Sequence, residues 1–566
     1  MASSQFAIGA PQVATEQGPQ APEQVSTQQP QGLTDQTNYV PRGKIISIFL
    51  ACATTSFTTL LDETMIAVAL PAISRDLGGG SDVGWVATAY FVTSTSFQLV
   101  CGRLSDIWSR KAVLFVLMVI FSIGNLGAAL STSFIELLIF RAIAGIGGGG
   151  IPTIAQVIVS DTVSLRQRGK YQGILGAAVA LSYGVGPVIG GVFVDQSTWR
   201  WIFRMLLPLT FLCAVCCYYF MPLKSVESNW RVKIRRIDFL GSFLVLVSSI
   251  MVVMALTWGG SSYPWTNAHV VATAVIGVVF GIAFVIWEGK GPKYPLLPLY
   301  IFRQRIVIGS AITHFINGYL TMVQVFYIPS FYQLAYGYSP TKSAAFMLSL
   351  TVVQTLMSSF SGMIISWTGR YRELILIGWA VWAVGLGLFS TLDENSGVGQ
   401  QIGYSLLTGF GVGQTLQPSL VAVQGAVERK DMAVVTAMRS FLRNIGGTLG
   451  LAISGTMLTN IFVSDLKKMT SGLDPAIRDR LMEDPLSARE IVTDPAQLAM
   501  IVAGYRHGFY IIFLVMASLA AVSFVFTLIF MTHSSLKRED DDKLRQEAKE
   551  RLDAEKAGRR GRENSA

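Results

Sequence analysis

Long apolar blocks recur along this chain, and no other feature restricts its fold as much. They fall near 45–70, 83–101, 112–130, 134–160, 170–193, 200–221, 237–258, 268–287, 306–330, 343–366, 373–391, 400–424, 434–460 and 507–532. That makes about fourteen, each close to the ~20 residues a helix needs to cross a bilayer. In lipid the backbone must satisfy its own polar groups, so repeated blocks of this length mean a bundle of spanning helices. Only 14% of the residues are charged, where a soluble chain carries nearer ~25%. Residues 1–43 are rich in Gln, Pro, Ser and Thr and have no apolar core, so they read as a disordered tail and not as a signal peptide.

The net charge of +9 does not indicate nucleic acid, because the basic residues gather in alternate short loops. One set holds Arg103, Arg110 and Lys111, then Arg166, Arg168 and Lys170, with further clusters at 224–236, 290–305, 370–372 and 429–430. The opposite set holds little beyond Arg75, Arg200, Arg204 and Lys342. Basic loops face the cytoplasm. With an even number of spans, both termini are then expected there, including the charged tail 534–566. Loop 461–506 is expected to be external and partly ordered, with an amphipathic stretch near 475–491. The five cysteines lie in or beside apolar segments and read as packing residues. The four histidines are scattered, and no P-loop occurs. Nothing here points to a catalytic centre, a metal or a cofactor.

An internal repeat organises the spans. Gly102 through Arg110 follows the second span, and Gly362 through Arg370 follows the tenth; each opens with Gly and reaches Arg eight positions on. Related six-span halves at 44–222 and 305–533 would leave 223–304 as two inserted helices and linkers. A substrate site is expected between such halves, near the midplane.

Four stretches carry chemistry. Gly102-Arg103-Leu104-Ser105-Asp106-Ile107-Trp108-Ser109-Arg110-Lys111 is a charged turn with Ser109 at its eighth position. Leu137 through Gly149 places Arg141 inside an apolar span, at an insertion cost on the order of 2.5–3.5 kcal/mol. Gly145 to Gly150 also fits a dinucleotide-binding string, which a membrane helix cannot use for want of a preceding strand. Gly173, Ser182 and Gly186-Pro187-x-x-Gly190-Gly191 mark the fifth span, and Leu61-Asp62-Glu63-Thr64 through Pro71 the first.

Together these motifs resemble the fourteen-span drug:proton antiporters of the major facilitator superfamily, in a form that looks fungal. The resemblance covers roughly 44–460, and 507–532 more loosely. Where glycine is usual in the loop motif, this chain has Ser109; it also departs from the family pattern at Ala144, Ser182 and Ala67. The resemblance implies an all-α polytopic fold of two six-helix halves plus two inserted helices. It makes Gly102, Asp106, Arg110 and Lys111 a conformational latch, and Gly173, Gly186, Pro187, Gly190 and Gly191 an antiporter motif. It further implies proton-coupled export of drugs, toxins or secondary metabolites, not enzymatic activity. Small molecules, protons and the bilayer are the implied partners, the plasma membrane the location, and a monomer the working unit.

Helix arithmetic suggests a proton site. Asp62 lies nine residues before Pro71, roughly 13 Å deep, and Arg141 about 12 Å deep from the same side. Asp62 is the expected proton carrier and Arg141 its tuning cation. Glu63, about 100° around the helix, is the rival carboxylate. In the second half Asn317, Gln324, Tyr327, Gln414 and Gln417 are candidates for the cavity wall, against helix–helix hydrogen bonding as the plainer role. Arg439 and Arg443 read as snorkelling charges. Import of basic amino acids into a vacuole, and a non-transporting receptor on the same fold, remain open alternatives.

Overall fold

The computed structural model describes residues 42–77, 83–221, 230–260, 263–469, 492 and 494–533, with isolated positions beyond. The expected N-terminal tail, the amphipathic stretch 475–491 and nearly all of the charged C-terminal tail lie outside them. The helices are α1 (Arg42–Leu77), α2 (Trp85–Ile107), α3 (Arg110–Leu130), α4 (Phe134–Thr162), α5 (Leu165–Gln196), α6 (Arg200–Phe220), the short α7 (Trp230–Arg235), α8 (Phe239–Trp258), α9 (Ala268–Gly289), α10 (Arg305–Tyr336), α11 (Pro340–Thr368), α12 (Arg372–Ser390), α13 (Val398–Ala426), α14 (Met432–Met469) and α15 (Pro495–Phe530). Loop 461–506 is shorter than expected, because α14 runs on to Met469 and α15 begins at Pro495.

Among the described residues, twelve helices are long and apolar enough to cross a membrane. Of the remaining long helices, α2 and α13 are the polar ones. Their Ser, Thr and Gln side chains, from Ser94 to Gln98 and from Gln401 to Gln424, are largely buried within the protein. A helix that meets other helices, not lipid, needs no apolar circumference. The protein is thus an all-α, multi-pass membrane protein.

Local sequence sets the helix ends. Ser109 is the N-cap of α3, its hydroxyl accepting from the Ala112 amide, which gives the unusual serine of the loop motif a structural use. Ser133 and Glu136 form a capping box on α4. Gly369 closes α11 with φ 74°, a conformation other residues avoid.

Two groups of six helices pack by one plan. The first pairs α2 and α3 with α4, α1 with α5, and α6 with α1 and α3. The second repeats this as α11 and α12 with α13, α10 with α14, and α15 with α10 and α12. Two seams, α5 on α11 and α2 on α14, join the groups. Both seams close tightly at the end that carries Arg110, called here the basic end. A side chain at Gly169 or Gly362 would strike the opposite backbone across the first seam, and one at Gly102 would strike Ala437 across the second. α8 and α9 pair with each other, and α8 lies on α2 and α14, with Trp258 edge-on to Trp85 at 5.7 Å.

Candidate transport site

Arg141 enters the protein interior about two turns into α4. Its Nη1 donates to both carboxylate oxygens of Asp62 at 2.9 Å, and its Nε to the Val86 carbonyl at 3.2 Å. The guanidinium lies 4.5 Å from the Tyr90 ring centroid and 5.5 Å from that of Phe203. Asp62 and Arg141 are both fully buried. The depth arithmetic therefore brought together two residues that do touch.

The next residue faces elsewhere. Glu63 lies on the wall of a cavity of about 260 Å³ lined by helices of both groups. It is the only carboxylate among the described lining residues, and no described residue bonds or pairs with it. The expectation that Asp62 exchanges the proton meets a physical obstacle: Asp62 is sealed behind its arginine and Glu63 is not.

The antiporter motif holds this turn of α1 in place. A Cβ at Gly186 would strike Thr64 Oγ1, and one at Gly190 would come within 2.9 Å of the Met65 carbonyl oxygen. The two glycines thus let α5 lie directly on the Asp62–Met65 turn. Ser182 Oγ donates to the Phe57 carbonyl at 3.2 Å. Gly191 has only ordinary contact, with Val68. Gly173 works at the seam, where a Cβ would sit 2.8 Å from Ser359 Cα, and Ser359 Oγ donates to its carbonyl at 3.1 Å. The Pro187 side chain lies outside the described set.

Of the five cavity candidates in the second group, Gln324 and Gln417 line the cavity. The other three face helix contacts, and the expectation is corrected for them. Asn317 bridges α13 and α14, donating to Thr415 Oγ1 at 3.2 Å and accepting from Arg443 Nε at 3.1 Å. Tyr327 donates to the Leu451 carbonyl at 3.5 Å. Gln414 points at Met357 Sδ, 3.9 Å away. Each is turned toward a neighbouring helix and not toward the cavity.

Arg439 and Arg443 do not snorkel; both line the cavity. Arg439 is 5% exposed. It donates Nε to His314 Nε2, Nη1 to Gln156 Oε1 at 3.4 Å and Nη2 to the Leu416 carbonyl at 3.1 Å. His314 Nε2 must therefore accept, so the ring is neutral and carries its proton on Nδ1, which donates to the Ser310 carbonyl at 2.8 Å. Two arginines four residues apart in an apolar span carried this information in the sequence, but not which way they turn.

At the basic end, Arg110 lies 2.6 Å from Asp106 Oδ1 and 3.0 Å from Asp161 Oδ2. Gly102, Asp106 and Arg110 meet there, beside α14. Lys111 does not join them: its Nζ bonds the Tyr218 and Met221 carbonyls at 2.8 and 3.1 Å, capping the end of α6. Sequence reasoning missed a second junction. Gln424 of α13 accepts from Ser160 Oγ at 3.0 Å and Arg168 Nη1 at 3.4 Å, and donates to Thr436 Oγ1 at 2.9 Å. All four are buried, and they tie the two groups together.

Two six-helix groups on one plan, a cavity between them and charged junctions at one end define a membrane transporter of the alternating-access kind. Residues 52–451 match the Major Facilitator Superfamily, and the chain belongs to that family. It is 33% identical over 499 residues to Citrate exporter 1 of Yarrowia lipolytica, covering 88% of this chain and 74% of that protein. It is 30% identical to the MFS-type efflux pump LUC4 of a Fusarium species, covering 87% and 88%. It is 33% identical to efflux pump FUS6 of Gibberella fujikuroi, covering 73% and 75%. The fold is similar to that of the human organic anion transporter MFSD10, with TM-score 0.57 at 13% identity over 86% of this chain and all of that one. It is also similar to the proton:xylose symporter XylE, with TM-score 0.57 at 14% identity over 88% and 98%. The relatives place this chain among fungal major facilitator efflux transporters, which are not enzymes.

Proposed function

We propose that the protein is a proton-coupled antiporter that exports small amphipathic molecules, and that Glu63 is the group that exchanges the proton. One observation carries the coupling: a single carboxylate, without a partner among the described residues, stands on the wall of the cavity between the two helix groups. Antiport needs a group that binds either a proton or the substrate, and access from the cavity is the first requirement. Asp62 and Arg141 then hold the α1 turn that presents Glu63. The relatives named as efflux pumps support the direction. The basic end faces the cytoplasm by the positive-inside rule, in the plasma membrane. Two arginines against one carboxylate on the cavity wall speak against basic amino acids as cargo.

Proton release from acid-loaded, inside-out vesicles tests this reading, with a panel of lipophilic toxins added outside. Release is expected in the wild type and is abolished in Glu63→Gln. If Glu63→Gln kept full release while a folded Asp62→Asn lost it, the proton would belong to Asp62.

A further inference from the structure

Two charged groups on the cavity wall keep open bonding positions among the described residues. Glu63 of α1 makes no hydrogen bond or ion pair with a described residue. Among the described residues, Arg443 of α14 bonds through Nε alone, to Asn317, and no carboxylate lies within salt-bridge distance of it. Both line the cavity, from opposite helix groups. The same wall carries apolar side chains, Leu60, Leu175, Val179, Met322, Val325 and Leu350, beside polar ones such as Gln324 and Gln417.

Arg443 is held for this position. A Cβ at Gly318 would strike the Arg443 carbonyl oxygen, so the glycine lets α14 press against α10 at that residue. Asn317, the next residue along, fixes the guanidinium through Nε and leaves both Nη groups without a partner among the described residues. A planar fork held at one edge offers its remaining donors to an acceptor oxygen. An ionised Glu63 can only accept.

Resting on the antiport reading, we propose that the cargo is a two-ended amphiphile: an apolar body with a carbonyl or carboxylate oxygen on Arg443 and a hydroxyl that donates to Glu63. The hydroxyl end couples transport. A hydroxyl bonded to the Glu63 carboxylate competes with the proton for the same oxygens, so proton binding expels the cargo. The carbonyl end selects, because a cargo without an acceptor leaves a desolvated guanidinium unpaired.

The test uses the full chain in lipid nanodiscs and three matched probes: acetylnaphthol with its two groups at opposite ends of the ring, acetylnaphthalene without the hydroxyl, and naphthol without the carbonyl. Binding is read by quenching of tryptophan fluorescence. Acetylnaphthol is expected to bind tightest, and to bind about tenfold more weakly in Arg443→Gln, the equivalent of ~1.4 kcal/mol. Acetylnaphthalene loses a similar factor, naphthol is unchanged, and Arg443→Lys recovers part of the loss. Binding of the two hydroxyl probes falls as pH drops in the wild type, and becomes independent of pH in Glu63→Gln. Equal losses for all three probes, no loss, or no binding by any of them overturns the two-ended site. The vesicle assay separates the two readings. The probe pattern without proton release keeps the site and sinks antiport, whereas proton release without the probe pattern keeps antiport and sinks the site.

Discussion

In α1–α6 two buried charge clusters are closed by carboxylates: Arg141 on Asp62, and Arg110 on Asp106 and Asp161. In α10–α15 the corresponding interior holds Arg439 and Arg443, which meet a neutral histidine, an asparagine, a glutamine and a carbonyl. The packing plan is the same in the two groups, and the charge plan is not. Buried ions need paired or dense hydrogen-bonding surroundings. At Arg141 and Arg110 the first group meets that need with ion pairs, which fix structure. The second meets it with neutral groups, and that leaves cationic donors at the cavity. Arg141 and Arg110 in the first group thus serve the frame, while that group offers Glu63 to the cavity and the second offers Arg439 and Arg443.

The sharpest attack on this contrast is Arg141→Gln. It strands a fully buried carboxylate, and removing one partner of such a pair costs about 3–5 kcal/mol. A large fall in the thermal midpoint is expected, with much of it regained in the double variant Asp62→Asn/Arg141→Gln, whose buried groups are both neutral. Full stability of Arg141→Gln alone would mean that the pair is not part of the frame.

Gly318→Ala comes next. The added methyl has no room against the Arg443 carbonyl, so α10 and α14 must separate, at about 1–3 kcal/mol. It should lower the thermal midpoint and weaken acetylnaphthol binding together, because the same contact sets the height of Arg443. Loss of stability without loss of binding would detach the packing from the site.

Gln424→Leu probes the missed junction. It removes the acceptor shared by Ser160 and Arg168 and leaves polar groups buried, at about 1–3 kcal/mol. Because those bonds join the two groups only at the basic end, the closed arrangement loses most. A cysteine placed at the cavity residue Gln417 should react faster with a reagent supplied from the basic end. Unchanged labelling would show that the junction does not hold that end shut.

The sequence pointed to much of the frame and little of the binding surface, for a physical reason. Spans of apolar residues and glycine motifs are one-dimensional patterns, and depth along a helix can be counted; Asp62 and Arg141 were matched that way. Azimuth cannot be counted so securely. Asp62 and Glu63 differ by about 100°, and that rotation decides which of them meets the cavity. The same uncertainty misplaced Asn317 and Gln414, and hid the inward turn of Arg439 and Arg443. The Gln424 junction was invisible because its members lie on four separate helices and carry no shared motif.

The smallest effect is where the two groups should agree. Lys111 at the start of α3 bonds the last carbonyls of α6, and Arg372 at the start of α12 donates to the Leu528 carbonyl of α15 at 3.1 Å. The two residues occupy matching places in the packing plan. Each supplies a cation to carbonyls that a helix end leaves without partners, an interaction of about 0.3–1 kcal/mol at an exposed site. Lys111→Met and Arg372→Met should therefore lower the thermal midpoint by similar, small amounts and leave proton release intact. Arg110→Met, one residue away from Lys111, should abolish release, because Arg110 joins Asp106 to Asp161. If Lys111→Met instead matched Arg110→Met in proton release, Lys111 would belong to the latch after all. The symmetry between the two helix groups would then fail at its most exposed point as well as in the interior.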